Sequence, residues 1–220
     1  MKRAHDLSLT QVNNYLASYI EYLNVKIKNN EMKNKNVFGF LMNPFTRIAG
    51  WQAFGLGIFF VVLMGLLGAY SDIAFDGVID MHIIDISLLQ SFLYIGINLV
   101  CLVVVMWMTG LIVSGKFRFI DILGTMTLAK APFLLLSIAG FFTAAPELSE
   151  IYKDPYVIFQ SISFIILIVL SITVIIWSIT LMYNAFKVSC DIKGSKLTGA
   201  FIIALLVSEA LSKVLIYLFV

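Results

Sequence analysis

The stretch FRFIDILGTMTLAKAPFLLLSIAGFF, residues 117–142, is an almost continuous apolar run with a lysine near its middle. Lys130 stands two residues before Pro132. A run of this length is typical of a membrane-spanning helix, which needs about 20 apolar residues. A lysine near the centre of such a helix costs at least about 2.5–3.5 kcal/mol when it has no partner. The lysine therefore predicts a buried polar partner elsewhere in the chain.

The composition of the whole chain favours lipid as its surroundings. Its 220 residues are 60% hydrophobic and 13% charged, whereas soluble domains are about 45–50% apolar and about 25% charged. Too few polar side chains are present to cover a water-facing surface. We therefore expect an all-α, multi-pass transmembrane protein.

Five apolar runs are long enough to cross a bilayer as helices. They are expected at 48–70, 88–113, 119–142, 157–183 and 198–220. The expected domains are a cytosolic segment at 1–41 and a five-helix transmembrane domain at 42–220.

The N-terminal segment has its own helical pattern. Apolar side chains recur at three- and four-residue steps between Leu9 and Ile27, which predicts an amphipathic helix. Such a helix either lies on the inner leaflet, docks a cytosolic partner, or packs against the loops of its own domain.

Basic residues alternate between the loops, and this alternation predicts the topology. The first loop, 71–87, has no Lys or Arg, and the third, 143–156, has a single lysine beside three acidic residues. The basic residues of the second and fourth loops are Lys116, Arg118, Lys187, Lys193 and Lys196. We expect these loops and the N-terminus to be cytoplasmic, and Val220 to be extracytoplasmic.

The last apolar run offers a partner for the buried lysine. At 1.5 Å per residue, Lys130 lies about 14 Å beyond Asp121, and Glu209 lies about 18 Å beyond Leu197. Lys213 follows Glu209 by one turn. We expect Glu209 to be buried between Lys130 and Lys213. The group is either a structural clamp or part of an ion or proton relay, and one acid with two bases favours the clamp.

Two further patterns are candidate features. In the first loop, Asp72, Asp76 and Asp80 are spaced by four and are followed by His82 and Asp85, so the loop is either a cation site or, as we favour, a solvated acidic loop. The first apolar run carries small residues that predict close packing against another helix or a second copy. These are Ala49, Ala53, Gly57, Gly65 and Ala69.

Patterns that catalysis or cofactor binding would require are missing from the sequence. Its histidines, His5 and His82, lie outside the apolar runs, so a haem or zinc site within the membrane has no histidine ligand. There is no phosphate-binding glycine loop. Cys101 and Cys190 have neither metal nor disulfide spacing. We expect no enzyme activity, no cofactor or metal, and no nucleic-acid partner.

Three stretches resemble the Yip family of Ypt/Rab-interacting membrane proteins, in its bacterial branch. They are MNPFTRIAG (42–50), SGKFRFIDILGTMTLAKAPFLLL (114–136) and WSITLMYNAFKVSCDIKGSKLTGAF (177–201). They are similar to the family's Pro-and-Arg entry segment, its basic loop with a helix that reaches a proline, and its fourth crossing with a polar turn. The Asp-Leu-Tyr-Gly-Pro motif of eukaryotic members is missing, so the resemblance does not extend to Rab binding.

The resemblance implies a five-crossing fold with a cytoplasmic N-terminus and a role in membrane organisation rather than catalysis. We therefore expect a non-catalytic inner-membrane protein that contacts the lipid bilayer and binds cytosolic or membrane proteins. Its basic loops also favour anionic lipid headgroups. The alternative is a small transporter, channel or permease subunit that uses a buried Lys130–Glu209 pair.

Overall fold

The computed structural model describes residues 37–114, 117–143, 145–146, 152–154, 156–191 and 193–220. The chain divides into two compact units, Met1–Met42 and Asn43–Val220. Of the first unit only residues 37–42 are described, and they are helical. The amphipathic helix predicted between Leu9 and Ile27 lies outside the described residues.

The second unit is a bundle of helices. Those described are α1 (Gly50–Tyr70), α2 (Leu88–Val113), α3 (Phe119–Leu128), α4 (Leu134–Gly140), α5 (Val157–Gln160), α6 (Ile162–Cys190) and α7 (Ser195–Phe219). Single 3₁₀ turns occupy Pro44–Thr46 and Ala131–Phe133. Among the described residues, five helical stretches are long and apolar enough to cross a membrane, with α3 and α4 together forming the third. The prediction of an all-α chain with five such helices is confirmed.

The third span is interrupted at its proline. Pro132 has no N–H and cannot continue the helical hydrogen-bond ladder. The N–H of Phe133 bonds to the carbonyl of Lys130 at 3.0 Å, which tightens the chain into a 3₁₀ turn. The carbonyl of Ala129 instead accepts a hydrogen bond from the Ser178 hydroxyl of α6 at 2.8 Å. A neighbouring helix thus satisfies the carbonyl that the 3₁₀ turn leaves without its helical donor.

The fourth span starts and ends later than its predicted limits of 157 and 183. α6 begins after Ser161, whose hydroxyl accepts a hydrogen bond from the N–H of Phe164 at 3.4 Å. It continues to Cys190 because Ala185, Phe186 and Cys190 are buried in the core. It stops at Asp191, whose φ of 50° is left-handed. Packing therefore extends this helix beyond its apolar run.

The first loop folds into the bundle. We call residues 71–87 the inserted hairpin. Its two short strands, β1 (Ile73–Ala74) and β2 (His82–Ile83), pair antiparallel. Ile73, Ala74 and Val78 have no exposed surface. The expectation of a solvated acidic loop agrees with Asp72 and Asp85, which are exposed, but not with the apolar residues between the aspartates, which pack inside the bundle.

Small residues bring α1 and α3 into close contact. A side chain on Gly57 would meet the backbone of Thr127 and Leu128, and a side chain on Gly124 would meet the carbonyl oxygen of Gly50. Gly65 lies against Phe92 of α2.

The predicted small-residue stripe is correct only over its middle. Ala53, Gly57 and Gly65 are buried, whereas Ala69 is half-buried and Ala49 is exposed. A strict four-residue step drifts by about 40° on a helix of 3.6 residues per turn. Over the stripe this drift moves Ala69 away from the packed face, whereas Ala49 precedes α1 in extended backbone.

Replacing Gly57 with alanine is expected to lower the melting temperature of the purified protein. The new Cβ would lie 2.6 Å from the backbone nitrogen of Leu128, and over-packing of this kind costs about 1–3 kcal/mol. Gly55→Ala is the matched control, since nothing lies within 4 Å of that Cβ position. Equal melting temperatures for the two variants would contradict the close contact of α1 and α3.

Candidate functional site

The backbone of the inserted hairpin is deep enough to need partners from the protein. The carbonyl of Phe75 accepts a hydrogen bond from Nδ2 of Asn98 at 2.7 Å. Asn98 lies ten residues after Leu88, the first residue of α2, which is about 15 Å along the helix. That is about half the thickness of a hydrocarbon core. Non-helical backbone at this depth is tolerated where protein groups satisfy it.

A single peptide group of the hairpin lies between two charged side chains. The ammonium of Lys130 donates a hydrogen bond to the carbonyl oxygen of Val78. The N–H of Ile79, which belongs to the same peptide group, donates to Oε2 of Glu209 at 3.0 Å. The negative end of the peptide dipole thus faces the cation, and its positive end faces the anion. The third and last spans are joined through this one peptide group.

The surroundings of Lys130 explain how a buried lysine is tolerated. Lys130 is only 6% exposed. Besides the carbonyl of Val78, its Nζ lies 4.9 Å from the centroid of the Phe133 ring, within the range of a cation–π contact. Lys130 also follows the C-cap of α3, Ala129, where the helix dipole favours positive charge. Three separate sources of negative potential therefore surround the ammonium.

Glu209 is also linked to charges nearer the end of the bundle. Its Oε1 lies 3.8 Å from Nζ of Lys213, one turn later on α7. Lys213 makes a shorter ion pair, 2.6 Å, with Oδ2 of Asp80 in the inserted hairpin. The Glu209 side chain is 16% exposed, whereas those of Lys213 and Asp80 are about two-fifths exposed. Two cations and two anions form a neutral group, which we call the anchor cluster.

The structure brings the three predicted residues together but arranges them differently from the prediction. The sequence predicts that Glu209 is buried between Lys130 and Lys213. It pairs with Lys213, while the Val78–Ile79 peptide group stands between it and Lys130. The reason is the inserted hairpin, whose polar backbone takes the hydrogen bonds that the side chains would otherwise exchange.

Sequence reasoning missed two members of this arrangement. The first is Asp80, which the sequence places in a solvated loop. The predicted group of Lys130, Lys213 and Glu209 has one more cation than anions, and this excess was the signal for a second carboxylate. Asn98 was overlooked, although an asparagine inside an apolar run signals a buried hydrogen bond.

Gly77 allows the hairpin to approach α7. A Cβ at this position would collide with Oε1 of Glu209 and would lie 2.7 Å from the Cβ of Asp80. Any larger residue would therefore push the hairpin away from the carboxylate that its backbone binds.

The acidic residues of the hairpin are divided among different partners. Asp76 accepts a hydrogen bond from Nδ1 of His82, at 2.8 Å to one carboxylate oxygen, and Asp80 binds Lys213. Ligand atoms of Asp76, Asp80 and His82 lie within 4.8 Å of one another and could hold a metal ion. The ammonium of Lys213 already occupies one carboxylate oxygen of this group. Asp72 and Asp85 are exposed.

The opposite end of the bundle carries the basic residues. The Ser114 hydroxyl donates to the carbonyl of Cys190 at 2.7 Å, and Nζ of Lys196 donates to the carbonyl of Val113 at 2.9 Å, so the second and fourth loops meet at one end. Arg118 pairs with Asp121 at 2.9 Å. Lys187 and Lys193 are exposed. Lys116 lies outside the described residues.

Two cavities lie beside the anchor cluster, and neither is lined by Glu209. One, of about 940 Å³, lies between the inserted hairpin and the first half of α6, with Asp80 and His82 among its lining residues. The other, of about 10 Å³, is lined by Lys130, Asn98 and apolar side chains.

Comparison with known proteins adds no relative. No protein-family model matches the chain, and no curated protein or solved structure matches it.

A double-mutant cycle between Lys130 and Glu209 is expected to show coupling through the Val78–Ile79 peptide group. Glu209→Gln should lower the melting temperature, because it removes the charge from the acceptor of the Ile79 N–H, and hydrogen bonds to charged groups contribute about 1.5–3 kcal/mol. Lys130→Met should lower it as well. The double variant should lose less than the sum of the single variants, because neither change then strands an opposite charge.

Lys187→Met is the control for this cycle, because it removes an exposed lysine at the opposite end of the bundle. It should leave the melting temperature nearly unchanged. Strictly additive decreases in melting temperature for Lys130→Met and Glu209→Gln would show that the two charges are not energetically coupled.

Lowering the pH is expected to weaken the contact between Asp80 and Lys213. Burial alone would raise the pKa of Asp80, but the hydrogen bond and charge of Lys213 and the N–H of Met81 hold this pKa below its ordinary value of 3.8. Because the pKa is lower in the folded state, the stabilisation is complete above the ordinary value and is lost as pH falls through the folded-state pKa.

The measurement is the melting temperature of the wild type and of Asp80→Asn from about pH 5 to about pH 2. The wild type should be more stable at the upper end, and the difference should vanish at the lower end. Asp72→Asn, which changes an exposed aspartate of the same hairpin, should follow the wild-type curve. A constant difference for Asp80→Asn would refute this contribution.

Proposed function

We propose that the chain is a non-catalytic, multi-pass protein of the Yip type in a bacterial inner membrane, where it organises membrane or binds partner proteins. The observation that carries this proposal is that the charged side chains inside the bundle already have partners within the protein. Lys130, Glu209, Lys213 and Asp80 each contact one another or the hairpin backbone. Charges that serve a solute path line a water-filled passage wide enough for the solute, whereas Lys130 and Glu209 bind the hairpin backbone and Lys213 and Asp80 bind each other.

The cavities also favour a binding role over transport. A transporter that used the buried pair would need a cavity wide enough for a solute beside Glu209. The cavity beside Lys130 has a volume of about 10 Å³, which is room for no more than one water molecule. The cavity of about 940 Å³ is lined by Asp80 but not by Glu209.

The basic end of the bundle is the surface that we assign to partners. Lys187, Lys193 and Lys196 are exposed there, next to the ends of α6 and α7. Positive charge next to spanning helices is retained on the cytoplasmic side, so we place this end in the cytosol and Val220 outside. Exposed lysines at this boundary attract anionic lipid headgroups, each with about 1 kcal/mol.

The resemblance of residues 42–220 to the Yip family supports the same proposal. The entry segment MNPFTRIAG contains the 3₁₀ turn Pro44–Thr46 and leads into α1 at Gly50. The basic loop leads into a span that bends at Pro132. The order of these stretches supports assignment to the Yip family. That assignment in turn supports a role in membrane organisation rather than in catalysis.

Recovery of partners from native membranes tests the proposal. Cross-linked full-length protein should retain proteins that are lost when residues 1–35 are removed or when Lys193 is changed to glutamate. Lys153→Glu is the matched control, because Lys153 is also exposed but lies in the loop between the third and fourth spans. It should leave the recovered set unchanged.

Detection of ion or proton flux through the purified protein would contradict the proposal. Protein reconstituted in liposomes should pass no more ions or protons than empty liposomes at the same lipid composition. A flux that Glu209→Gln abolishes, while the variant keeps the wild-type melting temperature, would establish the transporter instead.

A further inference from the structure

The small cavity beside Lys130 is lined by two polar side chains and six apolar ones. Lys130 and Asn98 supply the polar groups. Val61, Phe75 and Phe133 are among the apolar ones. Its volume is about 10 Å³, close to the ~10–15 Å³ that one water molecule needs. An apolar cavity of this size would stay empty, but a water molecule is retained where it finds two to four polar partners.

Asn98 leaves one polar atom without a partner. The residue is 2% exposed. Its Nδ2 donates to the carbonyl of Phe75, and its Oδ1 has no hydrogen-bond partner among the described residues. The amide orientation follows from chemistry, because the carbonyl of Phe75 accepts and therefore requires the nitrogen on that side. A buried acceptor without a donor is costly, so Oδ1 needs a donor from the cavity.

The Lys130 ammonium has one N–H donor more than the acceptors described so far. Its ammonium carries three N–H donors. One bonds to the carbonyl of Val78, and the ring of Phe133 offers a second acceptor at 4.9 Å. A third donor remains, and Lys130 lines the same cavity as Asn98. An ammonium without water around it needs an acceptor for each of its protons.

We propose that one water molecule occupies this cavity and links Lys130 to Asn98. It accepts a hydrogen bond from the ammonium and donates one to Oδ1 of Asn98. The ligand is neutral, because the anchor cluster already balances the charge of Lys130 with that of Glu209 through one peptide group. The cavity also lacks the room for a larger molecule. The water would connect α2 and the third span beside the inserted hairpin.

The sign of a cavity-filling substitution tests this proposal. Val61 lies on the cavity wall and is 7% exposed, so Val61→Ile adds one methylene there. If water occupies the cavity, the substitution expels it and leaves Oδ1 of Asn98 and a proton of Lys130 without partners. The melting temperature should then fall by about 2–8 °C. If the cavity is empty, the added methylene improves packing and the melting temperature should rise.

A second background separates loss of water from simple crowding. Asn98→Leu replaces the amide with an apolar side chain of similar size, so the water loses its acceptor. Val61→Ile should destabilise the wild type but not the Asn98→Leu variant. An equal loss in both backgrounds would mean crowding and would overturn the proposal, as would a rise in the wild type.

A direct observation covers the case in which Asn98→Leu does not fold. Cross-relaxation between water and the Asn98 side-chain amide protons, measured on the wild-type protein in nanodiscs, should show a long-lived water contact. Loss of that contact in Val61→Ile supports the proposal. A wild-type structure at a resolution that shows ordered water, with Nζ of Lys130 bonded directly to Oδ1 of Asn98, would overturn it.

Discussion

The inserted hairpin places peptide groups where no solvent can bind them, and the rest of the bundle is arranged around that constraint. A helix satisfies its own backbone, but the segment between β1 and β2 does not. Each of its deepest polar groups therefore takes a side chain from a different helix. Asn98 of α2, Lys130 of the third span and Glu209 of α7 bind the backbone of Phe75, Val78 and Ile79. The buried charges are best understood as ligands of this backbone.

The charges divide between the two ends of the bundle according to what they contact. At the hairpin end, Lys130 and Lys213 face carboxylates or carbonyls, and the anchor cluster has no net charge. At the other end, Lys187 and Lys193 are exposed. The anchor cluster is thus neutral and the hairpin beside it exposes the aspartates Asp72 and Asp85, whereas the other end exposes lysines. That asymmetry supports our placement of the binding surface at the basic end.

The spans could be predicted from the sequence because lipid imposes a simple rule of length and apolarity. The predicted limits of the second span, 88–113, agree with α2. The depth of Lys130 and Glu209 was also predictable, since helical rise converts residue counts into distance. Both side chains reach one peptide group.

The inserted hairpin was not predictable in the same way. The aspartates around Ile73 and Val78 indicate a loop in water, and nothing local shows that the apolar residues between them fold back into the bundle. Which backbone groups meet Asn98, Lys130 and Glu209 depends on contacts between residues that are far apart in the chain. A periodic pattern contains no information on such contacts, so the peptide group between the two charges emerged only from the structure.

The chain order of the anchor cluster has a consequence for biogenesis. Glu209 is synthesised 79 residues after Lys130 (209 minus 130). At roughly 5–20 residues per second, the ribosome reaches it about 4–16 s later. During that interval the lysine of the third span has no carboxylate counterpart, and the carbonyl of Val78, which is made earlier, is the partner already available to its ammonium.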